Sequence, residues 1–406
     1  MPRNVRAASW ASFLTDVSSE MVLNLVPLFL ANVLGARTVV IGLVEGVANA
    51  TASLVGVGAG WLSDRLRARK PLAVAGYALS AASKPFFYGA GSWAAVAAVR
   101  WVDRVGKGVR SAPRDALIAA SVRERRHGLA FGLHRAADTG GAVLGLLVAL
   151  AVVALWQSDA PELRLATFRA VVLVSLLPAF AGVLVLALGT REVPPDAAAE
   201  RPRPRLRGLG RPFAVFLAIA ALFDLGNSAD AFVLLRAQER GLGVPGILGM
   251  LISFNLVYAA LSLPAGWLSD RTGRKPVIAA GWLVYAAVYL GLGLAGSGAQ
   301  VWVLYALYGA YYGLSFGTAK ALVAGLVPEA LRGTAYGTYA AVLGILDLPA
   351  SLIAGALWGG VGGWKGFGPA APFLFGAATA ALAALLLILL VREEEPGVRD
   401  AATACR

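Results

Sequence analysis

The sequence is poor in the residues that build soluble active sites. Of its 406 residues, one is cysteine and two are histidine. Cys405 lies in the C-terminal tail, so no disulfide or cysteine-based metal site can form within the chain. The two histidines, His127 and His134, are isolated and do not make a metal site. Charge is scarce as well. Asp, Glu, Lys and Arg make up 15% of the chain, against about 25% in a typical soluble domain. Few stretches could form the polar surface of a soluble chain of this length. Apolar and polar residues do not alternate with period two, which argues against a membrane β-barrel. There is no Ser/His/Asp spacing and no phosphate loop of the Gly-x-x-x-x-Gly-Lys type. Gly106-Lys107-Gly108 sits inside an apolar segment without that framework. An enzyme reading therefore has no support, a primary ATP-driven pump is not expected, and no cofactor is called for. A cleavable signal is absent too: Met1 to Trp10 is short and basic, but the segment after it is too long for a signal core and carries Asp16 and Glu20.

What the chain has in abundance is apolar side chain. Hydrophobic residues make up 58% and mean hydropathy is +0.70. They come in blocks of about 20, the length that crosses a ~30 Å hydrocarbon core. The first six blocks lie near 10–33, 39–63, 71–90, 93–120, about 129–156 and 168–190. The second six lie near 212–236, 246–269, 276–296, 301–327, about 333–360 and 370–391. Only helices satisfy their own backbone polar groups in lipid. The predicted fold class is therefore all-α integral membrane, with twelve spans.

The net charge of +13 is explained by placement. Arg3 and Arg6, Arg65 to Lys70, Arg123 to Arg126, the arginines of 201–211, and Arg271 to Lys275 fall on one set of loops. The opposite loops hold only Arg37, Arg164, Arg240 and Lys365. By the positive-inside rule both termini are cytoplasmic in the cell membrane, which requires an even number of spans. Nucleic acid is not needed to account for the basic balance. The Pro- and Arg-rich stretch 191–211 reads as an extended cytoplasmic linker. It separates an N-terminal bundle, 1–190, from a C-terminal bundle, 212–392, and 393–406 forms a cytoplasmic tail.

The two parts repeat. Gly60-Trp61-Leu62-Ser63-Asp64-Arg65 recurs as Gly266-Trp267-Leu268-Ser269-Asp270-Arg271, each followed by a basic pair and proline. Asn49 matches Asn255, Ala116 to Ala119 matches Ala321 to Ala324, and Ala130 to Gly132 matches Ala335 to Gly337. The offset stays near about 205 residues, the mark of a duplicated six-helix unit with its solute site between the halves. On these residues the chain resembles the major facilitator superfamily, whose signature loop between the second and third helices of a half is matched by Gly266 to Lys275. The first copy has Arg67 where the pattern has glycine, and one extra residue before its basic pair. Arg100 resembles the family's helix 4 arginine. Gly141 and Gly145 match part of the antiporter helix 5 pattern, but no proline follows Gly145. The resemblance implies twelve helices in two pseudo-symmetric six-helix bundles and rocker-switch alternating access, without naming a substrate.

Charges inside the spans mark sites and partners, since each costs roughly 2.5–3.5 kcal/mol to insert. Arg100, Asp103, Arg104, Lys107, Ser111, Arg114 and Asp115 share one face of helix 4. Asp16, Glu20 and Asn24 form a stripe on helix 1, and helix 5 adds His134, Arg135 and Asp138. Asp16, Glu20 and Asp138 are the candidate proton carriers, set against the alternative of permanent ion pairs with helix 4. Arg100 and Arg104 either bind a substrate anion or neutralise those acids. Lys320 either contacts substrate or is compensated by an acid such as Asp347. Asn24, Asn49, Asp224, Asn227 and Asn255 are further substrate-site candidates. Tyr305, Tyr308, Tyr312 and Phe316 form a stripe on helix 10, suited either to an amphipathic solute or to helix packing. Asp64, Arg65, Asp270, Arg271, Asp115 and Arg114 are expected at the cytoplasmic ends as gating residues. The predicted function is a secondary active transporter of a small solute, a monomer in the lipid bilayer. Proton-coupled efflux of amphipathic compounds leads; a proton-coupled carrier of an anionic metabolite and a non-transporting sensor are the alternatives.

Overall fold

The computed structural model describes residues 1–66, 68–123, 126–157, 161–193, 208–328 and 331–391, without the side chains of Trp61, Asp64 and His127. The central part of the linker, the tail, and the Asp64 side chain expected to act in gating lie outside the described residues. The described chain forms twelve membrane-type helices and no strand. The first half comprises α1 (Arg3–Val33), α2 (Thr38–Leu66), α3 (Arg69–Ser83, prolonged by a 3-10 turn at Lys84–Gly89), α4 (Trp93–Ala120), α5 (His127–Trp156) and α6 (Leu165–Gly189). The second half comprises α7 (Gly210–Glu239), α8 (Val244–Thr272), α9 (Arg274–Leu294), α10 (Gly298–Leu326), α11 (Arg332–Gly359) and α12 (Ala371–Leu390). Nine of these are long and apolar enough to cross a membrane by composition. The other three are α3, α4 and α10: one is cut short by its 3-10 turn, one is rich in charge and one is rich in tyrosine. Their charged and tyrosine-bearing faces pack on neighbouring helices, α4 on α2 and α3 and α10 on α8 and α9.

α1 begins at Arg3 rather than near residue 10. Arg3 and Arg6, read as loop cations, are helical. Arg3 donates to the carbonyls of Leu188 and Gly189 at 2.8 and 2.9 Å, a cation on the C-terminal end of α6. Hydropathy cannot register a helical turn that is polar.

Within the first half α1 packs on α5 and α6, and α4 packs on α2 and α3. Within the second half α10 packs on α8 and α9, and α12 packs on α7 and α9. Small residues set the closest crossings. Gly141 and Gly145 lie against the backbone of Phe13 and Val17, which explains their spacing as helix packing of α5 on α1. The duplication is visible in three dimensions. Ser92 caps α4 by accepting from the Ala95 N–H, and Ser297 caps α10 by accepting from the Gln300 N–H. Gly108 on α4 meets α2 at Ala52, and Gly313 on α10 meets α8 at Leu261.

The repeated basic pair has a common task. Lys70 Nζ donates to the Thr190 carbonyl at 2.8 Å, just beyond the end of α6. Lys275 Nζ donates to the Val391 carbonyl at 2.9 Å, just beyond the end of α12. Each lysine places its charge where the unpaired carbonyls and the helix dipole are negative. The second copy turns sharply through Gly273, whose φ of 92° suits glycine. The starts of α1, α3 and α9 and the ends of α6 and α12 lie on one face, here called the terminal face.

The halves meet mainly along α2 and α11, and along α5 and α8. Thr38 Oγ1 donates to the Gly355 carbonyl at 3.1 Å. A Cβ on Gly355 would lie 2.6 Å from Val39 Cα, and one on Gly46 would lie 2.8 Å from Leu348 Cα. These contacts close the half of the molecule away from the terminal face. In the terminal half, a cavity of about 410 Å³ is lined by residues of α5, α8 and α10. Both halves also start with a broken helix. α1 unwinds at Asn24–Leu25 and continues as a π-turn from Phe29 to Val33; α7 unwinds between Gly226 and Ala231.

Candidate functional site

The first half concentrates charge around α4. Arg100 donates from Nε and Nη2 to the two oxygens of Glu45 on α2, at 3.2 and 2.5 Å, with both side chains buried. This bidentate geometry is what a guanidinium and a carboxylate do best. Arg100 therefore pairs with Glu45 rather than with an acid of α1 or α5, because α4 crosses α2 along this face. Arg104 points its Nε into a buried position without a partner. Lys84, fully buried, donates to Ser18 and Ser19 at 2.5 and 3.1 Å. Arg110, not singled out in the sequence, is buried with its guanidinium 4.4 Å from the Tyr77 ring centre.

The proposed proton carriers sit differently from one another. Asp16 has neither a hydrogen bond nor an ion pair among the described residues. The charges acting on it come from Asp138, Arg110, Glu20 and Lys107. Glu20 accepts from Asn24 Nδ2 at 2.7 Å, while that same amide also donates to the Glu20 carbonyl. Asp138 approaches His134 Nε2 at 3.7 Å. Both His134 nitrogens and one Asp138 oxygen have no hydrogen-bond partner.

In the second half the same depth is aromatic. Tyr305 and Tyr308 are buried and pack on Phe254, Tyr285 and Tyr289. Tyr312 is half-buried, with its ring in contact with Tyr258 and Phe316. The stripe of α10 is thus part core and part cavity wall. The break in α7 exposes polar backbone beside it. Tyr285 donates to the freed Gly226 carbonyl at 3.0 Å, and Tyr308 donates to Asn227 Oδ1 at 3.4 Å. Asn227 donates to Asp224, which is buried with one oxygen unpartnered. Asn255 donates to the carbonyl of Leu251 on its own helix, and Asn49 is half-buried on α2.

Lys320 does not meet Asp347. Among the described residues no carboxylate lies within ion-pair distance of it, and its Nζ stands 4.8 Å from the Phe316 ring centre. Asp347 is on α11, where Arg104 and Asp230 act on it electrostatically. At the terminal ends, Arg114 and Asp115 pair with each other at 2.9 Å, and Arg114 also reaches Ser12 on α1 at 3.2 Å. Arg271 stacks on Trp267, its own helix neighbour, at 3.7 Å, and Asp270 lines the cavity. Arg65 is in the last turn of α2.

Besides Arg110, two pairings escaped the sequence. Glu45 is one of several carboxylates inside the spans, and only the α2–α4 crossing brings it to Arg100. Arg236 on α7 is buried and donates to the carbonyls of Leu292 and Gly293 at 3.0 and 2.9 Å, while pairing with Glu239 at 2.6 Å. It closes the end of α9; the only trace in sequence was its i,i+3 acid.

Comparison with known proteins agrees with this architecture. A model of the Major Facilitator Superfamily matches residues 8–252 and 213–404, which together take in nearly the whole chain. The uncharacterised MFS-type transporter MJ1317 of Methanocaldococcus jannaschii is 34% identical over 396 residues, covering 96% of this chain and 95% of that protein. The nucleoside transporter NupG superimposes with a TM-score of 0.80 at 13% identity, covering 96% of this chain and 100% of its own. A D-xylose-proton symporter superimposes with a TM-score of 0.75 at 17% identity, covering 96% and 98%. The structural likenesses speak for the fold alone. With the twelve helices, the repeated signature loop and the family match together, the chain belongs to the major facilitator superfamily and is a multi-pass membrane transporter.

Proposed function

We propose that this protein is a proton-coupled exporter of small amphipathic compounds, working from a terminal face that is the cytoplasmic side of the cell membrane. The observation that carries the reading is Asp16, a carboxylate inside a span that has neither a hydrogen bond nor an ion pair among the described residues. An acid in that position is by default functional. The charges acting on it include a second acid, Asp138. Proton uptake at either acid removes one negative charge between α1 and α5, a local change able to bias two packings of these helices. Glu20, held by Asn24, stands one turn further along the same stripe.

The solute is held by the aromatic wall of the second half, with Tyr312 and Tyr258 at the cavity and Asn227 and Asp224 at the break of α7. A polar backbone break inside a membrane helix is the usual place for such a site. The bundles 1–190 and 212–392 rock about the α2–α11 and α5–α8 contacts, with 191–211 as their cytoplasmic tether. Arg100 belongs to the fixed framework through Glu45. Arg114 and Asp115, with Asp270 and Arg271, change partners as the terminal face closes.

The test is proton flux in proteoliposomes loaded with a pH dye and challenged with lipophilic cations, neutral amphipaths and anionic metabolites. Asp16→Asn is expected to abolish pH-driven flux while leaving solute binding in place. If Asp16→Asn, Glu20→Gln and Asp138→Asn each retain pH-driven transport, the proton-carrier assignment is wrong.

A further inference from the structure

Two cations of the cavity have no ion-pair partner among the described residues. Arg135 projects from α5 and donates from Nη2 to the Tyr258 hydroxyl on α8 at 2.6 Å, across the boundary between the halves. Its guanidinium carbon lies 5.7 Å from the Tyr258 ring centre and 5.9 Å from that of Phe316. Lys320 approaches the same Phe316 ring at 4.8 Å. Neither cation has a carboxylate within 4.0 Å among the described residues. Asp270 also lines the cavity, so the charge count there is two positive and one negative.

Depth matters to what this means. Arg135 is about two turns from the terminal end of α5, and Lys320 about two turns from that of α10. Both lie within the spans, where an uncompensated cation is expensive unless water or a partner neutralises it. Ring faces offset part of that cost. They do not supply a counter-anion, and the guanidinium still has N–H donors beyond the one taken by Tyr258. The cations also stand at one end of an unbroken aromatic path, from Phe316 through Tyr312 and Tyr258 to Phe254. A ligand spanning both features needs an apolar or aromatic body and one anionic group.

We infer that Arg135 and Lys320 form an anion-binding subsite, and that the solute is an amphipathic organic anion whose carboxylate, sulfonate or phosphate lies between them while its apolar body rests on Tyr258, Tyr312 and Phe316. This rests on the transporter reading above and narrows its substrate class. Arg135 has a second consequence. Because it bridges α5 to α8, an anion that draws it away from Tyr258 loosens a contact between the halves, which couples binding to the rocking motion.

The experiment uses one ring system with three charges: indole-3-acetate, indole-3-acetamide and tryptamine. Binding to purified full-length protein is measured by equilibrium dialysis at fixed pH, without a gradient, so that failure of proton coupling does not affect the result. The acetate is expected to bind at least about tenfold more tightly than the acetamide. Arg135→Gln with Lys320→Gln is expected to bring the two to equal affinity, with an unchanged size-exclusion profile and melting temperature as the control for folding. Equal binding of acetate and acetamide, preference for tryptamine, binding of none of the three, or an acetate preference that survives in the double variant would each overturn the inference. Nanodiscs with and without phosphatidylglycerol separate a soluble anion from a lipid headgroup. Loss of the acetate preference only in phosphatidylglycerol would assign the cations to lipid and overturn their substrate role. Flux of bound indole-3-acetate, read separately, tests the transporter reading.

Discussion

The two halves share one scaffold and use it for opposite chemistries. α4 and α10 start from equivalent serine caps and cross the second helix of their half through equivalent glycines. At matching positions of the repeat, Arg100 stands where the second half has Tyr305, Asp103 where it has Tyr308, and Lys107 where it has Tyr312. One face therefore carries ion pairs in the first half and aromatic rings in the second. The difference shows what the duplication conserves. Backbone approach and helix ends are kept because they determine packing, while the inward face diverges because it is paired within its own half. Arg100 has Glu45, and Tyr305 has Phe254.

The contrast can be broken most severely at its buried ion pair. Glu45→Gln leaves the Arg100 guanidinium buried without a counter-charge, and is expected to destabilise the protein by about 3–5 kcal/mol. Thermal unfolding in detergent would read this as a large drop in Tm, with the joint replacement Arg100→Met, Glu45→Met recovering most of it. Little loss in the single variant would mean that the pair is not what holds α2 on α4.

The aromatic counterpart is expected to respond through volume instead of charge. Tyr305→Ala removes a buried ring and should cost about 3 kcal/mol or more, whereas Tyr305→Phe should be close to neutral. A large effect of the phenylalanine variant would show that the hydroxyl, not the ring, is needed there. Tyr308→Phe is expected to cost about 1 kcal/mol or less, since it gives up one hydrogen bond of 3.4 Å to Asn227.

The smallest effects should be those the two halves share. Lys70→Ala and Lys275→Ala each remove a cation from the end of a neighbouring helix and should each cost about 1 kcal/mol. Similar losses in parallel melts would support a common capping role. A loss confined to one of them would separate the halves even at their most alike position.

Much of this molecule was legible in its sequence because lipid allows few solutions. Chain segments long enough and apolar enough to cross a bilayer must be helical, and a signature repeated after six such segments identifies the duplication and the family. Candidate residues such as Asp16, Arg100 and Lys320 were legible too, as charges where charge is costly. Their partners were not. Arg100 was read against Asp16, Glu20 and Asp138 and instead meets Glu45; Lys320 was read against Asp347 and instead lies on Phe316 beside Arg135. Periodicity tells which residues share a face of one helix, but it carries no information about which helix lies opposite. The break in α7 and the reach of Arg135 to Tyr258 likewise depend on contacts between segments distant in sequence. The sequence alone thus determined the twelve helices, their pairing into two related halves and the stripe each charge occupies, since these follow from hydrophobicity and local geometry. Which charge is neutralised, which is left facing the cavity, and which rings form core or wall were decided only when the helices crossed, because a buried charge is defined by its nearest neighbours in space.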